Sequence, residues 1–246
     1  MVLQRGAPIP VWGKAKPFST INVTIGNQTK HSVTDKKGNW MLRLDTMVAG
    51  GPYTMTITQN DKEKLEHKAE ISNVMIGDVW LASGQSNMEF KLIESSQGNE
   101  EVAHAQFPNI RFFHVPQTIE TTPQPDVKDG HWQRCDSTTS GEFSAVAYYF
   151  AKKIHVDENV AVGIIQSTWG GTPVEAWTSK EALMTVPEYS NRILEIESQN
   201  INKADFNKDK EEEKRFFDIA FNSLHGIKKH FTDLKFDDSS WEKITI

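Results

Sequence analysis

The sequence predicts an α/β fold in which a small amino-terminal antiparallel β-sandwich precedes a second domain built on a parallel sheet. Before residue 72, apolar and polar residues alternate in short runs. Beyond it come nearly continuous apolar runs, and between two of those lies a segment with apolar residues at helical spacing. A period of two marks half-buried strands, an unbroken apolar run marks a strand covered on both faces, and the helical period marks the element between them.

In the first region Ile21, Val23 and Ile25 alternate with polar neighbours, as do Trp40, Leu42 and Leu44, and Tyr53, Met55 and Ile57. Turns are expected at Gly26-Asn27, at Asp35-Lys36-Lys37-Gly38 and at Gly50-Gly51-Pro52, where residues suited to unusual dihedrals cluster. Short strands at this spacing predict a sandwich over residues 1–72. Asn22-Val23-Thr24 and Asn27-Gln28-Thr29 match the glycosylation triplet, a pattern that also arises often by chance.

The run Val74-Met75-Ile76-Gly77-Asp78-Val79-Trp80-Leu81-Ala82 then predicts a strand buried on both faces, leading directly into Ser83-Gly84-Gln85-Ser86-Asn87-Met88. Residues 143 to about 156 carry Val146, Tyr149, Phe150 and Ile154 at helical spacing. Residues 160–165 predict another buried strand, followed by Gln166-Ser167-Thr168-Trp169-Gly170-Gly171-Thr172-Pro173. Helix alternating with buried strand points to a parallel sheet over 73–186. Residues 187–235 are charge-rich, including Lys208-Asp209-Lys210-Glu211-Glu212-Glu213-Lys214-Arg215, and predict a solvated helical connector.

Composition removes several functional classes. With 246 residues, 37% hydrophobic and 24% charged, the chain can bury a substantial core. A formal net charge of −6 invites neither nucleic acid nor an anionic membrane surface. No stretch approaches the roughly 18 apolar residues of a membrane-spanning helix. Cys135 is the single cysteine, so neither an intrachain disulfide nor a multi-cysteine zinc site is possible.

Two segments can carry chemistry. Ser86 follows a buried strand and Gly84 permits a tight turn, which puts its hydroxyl at the carboxyl edge of a sheet, where open α/β folds bind ligands. The residue after it can begin a helix whose backbone N–H groups are free to hold an oxyanion. A capping serine in a plain turn has the same signature, and Met88 stands where a G-x-S-x-G elbow has its last glycine. Gly170-Gly171 lets a backbone approach a ligand without Cβ interference, and one oxyanion donor is worth roughly 3 kcal/mol. A turn needing positive φ explains the pair equally well. Trp169 and Trp177 flank that loop, either as an apolar wall for a sugar ring or as core residues.

Together these segments carry a resemblance. Leu81-Ala82-Ser83-Gly84-Gln85-Ser86-Asn87-Met88-Glu89 resembles the first signature block of the sialate O-acetylesterase family, a branch of the SGNH hydrolases. The stretch Gly163-Ile164-Ile165-Gln166-Ser167-Thr168-Trp169-Gly170-Gly171-Thr172-Pro173-Val174-Glu175-Ala176-Trp177 is similar to its second block. Val2-Leu3-Gln4-Arg5-Gly6 and Ile9-Pro10-Val11-Trp12-Gly13 resemble the family's amino-terminal sandwich, and Phe143-Ser144-Ala145-Val146-Ala147-Tyr148 the helix before the second block. The resemblance implies that residues 73–186 are the first part of an SGNH-type hydrolase domain. It implies Ser86 as nucleophile, an oxyanion hole from Ser86 with Gly170 or Gly171, and substrate contacts from Gln85, Asn87 and Trp169. The reaction implied is release of acetate from an O-acetylated sugar or glycan without metal or organic cofactor, in an extracellular or periplasmic setting. No nucleic-acid partner and no membrane insertion are expected.

A serine hydroxyl needs a general base. In the family this is a histidine in a D-x-H-P or D-x-x-H motif after a block resembling Q-G-E-S-N, and neither is present here. Asp129-Gly130-His131 comes closest among the 8 histidines, but Trp132 follows it, so His131 is expected to be a surface or packing residue. Phe236-Asp237-Asp238-Ser239-Ser240-Trp241 resembles the start of the galactose-binding-like β-domain inserted in longer relatives, placing the start of a truncated insert at 236–246. The expectation is therefore an esterase piece whose catalytic histidine lies beyond residue 246, poorly active alone. An acetylxylan or other glycan esterase, a non-catalytic carbohydrate-binding protein, and a generic thioesterase or lipase of the superfamily are the alternatives. The last lacks reason for the tryptophan-rich second block and the preceding sandwich.

Overall fold

The computed structural model describes residues 1–61, 64–118 and 124–198, with positions 211, 214, 215, 235, 237 and 239. Ten strands appear among the described residues: β1 (Val2–Gln4), β2 (Ile9–Lys14), β3 (Thr20–Ile25), β4 (Gln28–Val33), β5 (Asn39–Leu44), β6 (Gly50–Asp61), β7 (Lys64–Gly84), β8 (Gln106–His114), β9 (His131–Asp136) and β10 (Ala161–Thr168). Five α-helices accompany them: α1 (Ser86–Glu89), α2 (Gly98–His104), α3 (Ala145–Glu158), α4 (Lys180–Leu183) and α5 (Pro187–Ser198).

The chain falls into two compact units. The first holds Met1–Thr118 with Gln124–Trp177. Its large sheet runs β4-β3-β6-β7-β10-β8-β9, with β1 also paired to β7. The amino-terminal strands β3, β4 and β6 are antiparallel, whereas β10 runs parallel to both β7 and β8. A second sheet of β2 and β5 lies apart. This is the mixed α/β architecture that the periodicities predict.

The alternating side chains explain the amino-terminal half. Ile21, Val23 and Ile25 of β3 are buried, as are Trp40, Leu42 and Leu44 of β5, with solvent-facing residues between them. They close one hydrophobic cluster with Ile9, Met55, Val74 and Ile76, which is what two sheets packed face to face require. A separate cluster forms where Leu92, Ile110, Phe112, Phe143, Tyr148, Val162 and Ile164 meet. Phe112 and Phe143 stack there with centroids 4.0 Å apart. Helix α3 covers this cluster with Ala147, Tyr148 and Ala151. It is capped by Ser144, whose side chain accepts from Ala147 N–H, and it ends at Asn159 in the left-handed region.

Strand β7 serves both halves. It is 21 residues long and runs unbroken through residue 72. Its first part pairs with β6 and its last part with β10, from Ala161 opposite Gly77 to Thr168 opposite Gly84. Two local expectations are corrected. Gly50-Gly51-Pro52 belongs to β6 and not to a turn: Gly50 pairs with Ile76, and the register shifts before Tyr53 because the chain bulges there. Nor is the end of β7 covered on both faces. Trp80 is 45% and Leu81 68% exposed. Successive residues of a strand point to opposite faces, so neither face is fully covered there, although Phe150 of α3 meets Trp80 edge-on at 5.0 Å.

Among the described residues the second unit begins at Thr178. In it α4 is capped by Ser179, and Lys180 pairs with the Glu197 carboxylate. Of the connector expected over 187–235, α5 and the positions Glu211, Lys214, Arg215 and Lys235 are described, and the rest lies outside the described residues. The insert start expected at 236–246 also lies outside them, apart from Asp237 and Ser239. No described helix is long and apolar enough to cross a membrane.

Candidate active site

Two parallel strands end side by side and set up the site. Residue Thr168 of β10 lies opposite Gly84 of β7, and the chain beyond stays attached because Trp169 N–H donates to Gly84 C=O at 3.0 Å. Gly84 has φ +145°, a conformation that L side chains rarely adopt. The chain therefore turns at once, Gln85 caps α1, and Ser86 opens that helix with its side chain exposed. Phe90 N–H closes the turn on Ser86 C=O at 2.9 Å.

The surroundings of Ser86 are specific. Its Oγ donates to Gln85 Oε1 at 2.7 Å, and its own N–H donates to the same oxygen at 3.1 Å. Across the gap, Gly170 N–H donates to Glu89 Oε2 at 2.5 Å. A Cβ on Gly170 would lie 2.5 Å from that carboxylate oxygen and 3.5 Å from Ser86 Oγ, so glycine here lets the second loop lie against the serine. Gly171 has φ +75°, open space where a Cβ would be, and an N–H without a hydrogen bond among the described residues. Thr172 Oγ1 ties back to Trp169 C=O at 2.6 Å and accepts from Trp177 Nε1 at 2.8 Å.

The structure thus brings Ser86, Gln85 and Gly170 together. Gly171 is exposed next in the loop, and Asn87 is exposed on α1. Trp169 is partly buried, held by its backbone to β7, while Trp177 is 39% exposed. Among the described residues no histidine hydrogen-bonds to Ser86.

Two participants went unremarked in the sequence reading. Glu89, quoted in the first block without a role, accepts from Gly170 N–H and, at 2.6 Å, from the Gln117 amide. Gln117 Nε2 also donates to Thr168 C=O at 3.2 Å. Together the pair links α1 to the chain beyond β8 and the end of β10. Ile110, Phe112 and Phe113, interrupted by Arg111, were the weak signal that a strand delivers this segment to the same sheet edge. Beside Glu89 opens a cleft of about 480 Å³, whose wall includes Gln117, His114, His131, Gln133 and Lys91. His131 is exposed there, its Nδ1 3.3 Å from Asp129 C=O.

The chain is similar to several known proteins. The profile of the family described as carbohydrate esterase, sialic acid-specific acetylesterase, matches residues 76–204. Sialate O-acetylesterases of Pongo abelii and Homo sapiens are each 33% identical, over 198 and 201 residues, covering 74% of this chain. The chain spans 38% of the length of those relatives. A crystal structure of a carbohydrate acetylesterase from Xanthomonas citri superposes with a TM-score of 0.70 at 37% identity, covering 76% of this chain and 42% of that one.

Proposed function

The chain belongs to the sialic acid-specific acetylesterase family of carbohydrate esterases, and from that premise we propose that it carries the nucleophile of a serine O-acetylesterase acting on sugars. Ser86 attacks the acetyl carbonyl, its own N–H and the N–H of Gly170 or Gly171 hold the tetrahedral oxyanion, and water then releases acetate. Gln85, Asn87 and Trp169 contact the substrate. The observation that carries this reading is the exposed Ser86 hydroxyl at the end of β7, with the backbone of Gly170 against it. The division into a sandwich over 1–72 and the first part of the hydrolase domain over 73–186 is part of the proposal. Two separate buried clusters support it. So is an extracellular or periplasmic site of action, which rests on the family resemblance.

The mechanism needs a base, and Ser86 Oγ faces an amide oxygen instead. A serine that meets no histidine among the described residues acylates slowly, a deficit of about 10⁴- to 10⁶-fold. Its acetyl ester, without the good p-nitrophenolate leaving group, hydrolyses more slowly still, so an acyl-serine accumulates. The test is intact-mass and peptide mapping of the chain after incubation with p-nitrophenyl acetate, with imidazole as an added base. Acetylation of Ser86 that imidazole accelerates and Ser86→Ala abolishes is expected. Equal labelling of both proteins refutes the assignment.

A further inference from the structure

We propose that the cleft beside Glu89 is the subsite for the sugar ring, and that it takes a neutral, hydroxyl-rich ring in preference to one bearing a carboxylate. This rests on the esterase reading above and extends it to the other half of the substrate.

Position comes first. The cleft lies where β8 and β10 end, at residues His114 and Thr168, the edge at which parallel sheets bind ligands. It also touches the nucleophile's surroundings. Glu89 lines the cleft, and its Oε2 and Ser86 Oγ both lie within 3.5 Å of the point where a Cβ on Gly170 would be. An acetyl group at Ser86 therefore leaves its sugar at the mouth of this cleft. The volume of about 480 Å³ sits inside the roughly 300–1,000 Å³ of small-molecule sites.

Chemistry comes second. In the antiparallel register of β8 and β9, His114 stands opposite His131 and Phe112 opposite Gln133. Directly opposed residues, and residues two apart, share a face of a sheet, so these four side chains are aimed the same way. Two imidazoles and an amide each offer a donor and an acceptor, which matches a hydroxyl that is both. Phe112 and Phe143 make an apolar floor beneath them.

Charge decides the class of ring. Lys91 is committed to Glu142, with Nζ 2.8 Å from Oε2. The Glu89 carboxylate receives only neutral donors among the described residues, Gly170 N–H and the Gln117 amide. Among the described residues the wall therefore sets the carboxylates of Glu89 and Glu142 against the single ammonium of Lys91, which interacts with both, and it carries a net negative charge. It welcomes hydroxyl donors, which bond strongly to carboxylates, and it repels a sugar carboxylate.

The test is NMR titration of the isotope-labelled chain at mildly alkaline pH. Methyl xyloside and N-acetylneuraminic acid are the probes, and the His114 and His131 ring signals and the Gln133 side-chain amide are the readouts. Methyl xyloside is expected to move all three signals, and N-acetylneuraminic acid to need about ten times the concentration or more. His131→Ala, a change at an exposed residue, is expected to weaken the neutral sugar while the spectrum stays dispersed. A silent response to both sugars overturns the subsite, and tighter binding of N-acetylneuraminic acid overturns the neutral preference. Ser86→Ala is expected to leave both titrations unchanged. Retained sugar binding without acylation of Ser86 would sink the esterase reading and spare the cleft.

Discussion

Replacing Gly77 by alanine probes the contact that holds both halves of the site together. Gly77 is buried in β7 opposite Ala161, the first residue of β10 in the parallel ladder. A Cβ there would lie 2.0 Å from Ala161 O, 2.7 Å from its carbonyl carbon and 3.0 Å from its Cβ. Ordinary C···O contacts are about 3.3–3.6 Å, so the strands must part by more than 1 Å. Ladder bonds near 2.9 Å do not survive that displacement. Two to four of them at about 1 kcal/mol each give a loss of roughly 2–4 kcal/mol. For a chain of this size that lowers Tm by about 4–16 °C. The assay is thermal and urea unfolding followed by circular dichroism. Gly6→Ala serves as the control: Gly6 has φ +72° and no atom within 4 Å of its Cβ position, so the left-handed backbone conformation alone should cost about 1 kcal/mol. A Gly77→Ala protein as stable as wild type, or no less stable than Gly6→Ala, would refute the reasoning.

Two further outcomes follow from titratable groups. Burial pushes the Glu101 carboxyl up, but hydrogen bonds from Lys152 and Tyr148 outweigh it and hold its pKa below the usual value. A depressed folded-state pKa contributes stability above the unfolded value and loses it as pH falls through the folded one. The gap in urea midpoint between wild type and Glu101→Gln should therefore be full at neutral pH and close as pH drops below the ordinary carboxylate range. A gap that widens in acid would contradict the assignment. Cys135 is 1% exposed, and burial pushes its thiol up to about 12. It should resist a disulfide-exchange reagent in the native protein and react fully in denaturant, and fast native labelling would show that the cluster around it opens.

The sequence announced the strands whose patterns are internally uniform. The alternation in β3 and β5 and the apolar run of β10 reproduce their burial directly. Helix α3 forms where the helical spacing predicts a helix, but Val146, Tyr149 and Phe150 are 51%, 42% and 42% exposed, and Ala145, Ala147, Tyr148 and Ala151 form its buried face instead. What stayed hidden depends on partners. Strand β7 changes environment along its length, half-buried beside β6 and then in a parallel ladder with β10, so one long strand reads as two elements. Gly50-Gly51-Pro52 carries every residue of a turn, yet the partner strand draws it into the ladder. Strands β8 and β9 carry arginine, histidine and proline within them. Only pairing reveals that Arg111 is buried, with its guanidinium on Asn73 and on the carbonyl groups of Met1 and Pro108. Glu89 was in plain view, but a four-residue helix has no periodicity from which to read where its side chain points.

That carboxylate bears on how the proposed oxyanion hole divides its work. Each candidate donor is worth what it gains when the carbonyl oxygen becomes negative, measured against the acceptor it gives up. Ser86 N–H now serves the neutral Gln85 Oε1 at 3.1 Å, a weak bond to exchange for one to an anion. Gly171 N–H serves nothing among the described residues and gives up only solvent. Gly170 N–H already has a charged partner at 2.5 Å, and charge-assisted bonds are about twice as strong as neutral ones. Turning to the oxyanion would swap one anion for another and leave Glu89 repelling the new charge. On this arithmetic the proposed hole is served best by Ser86 and Gly171, whose N–H groups give up least, while the Gly170 N–H holds the loop on Glu89.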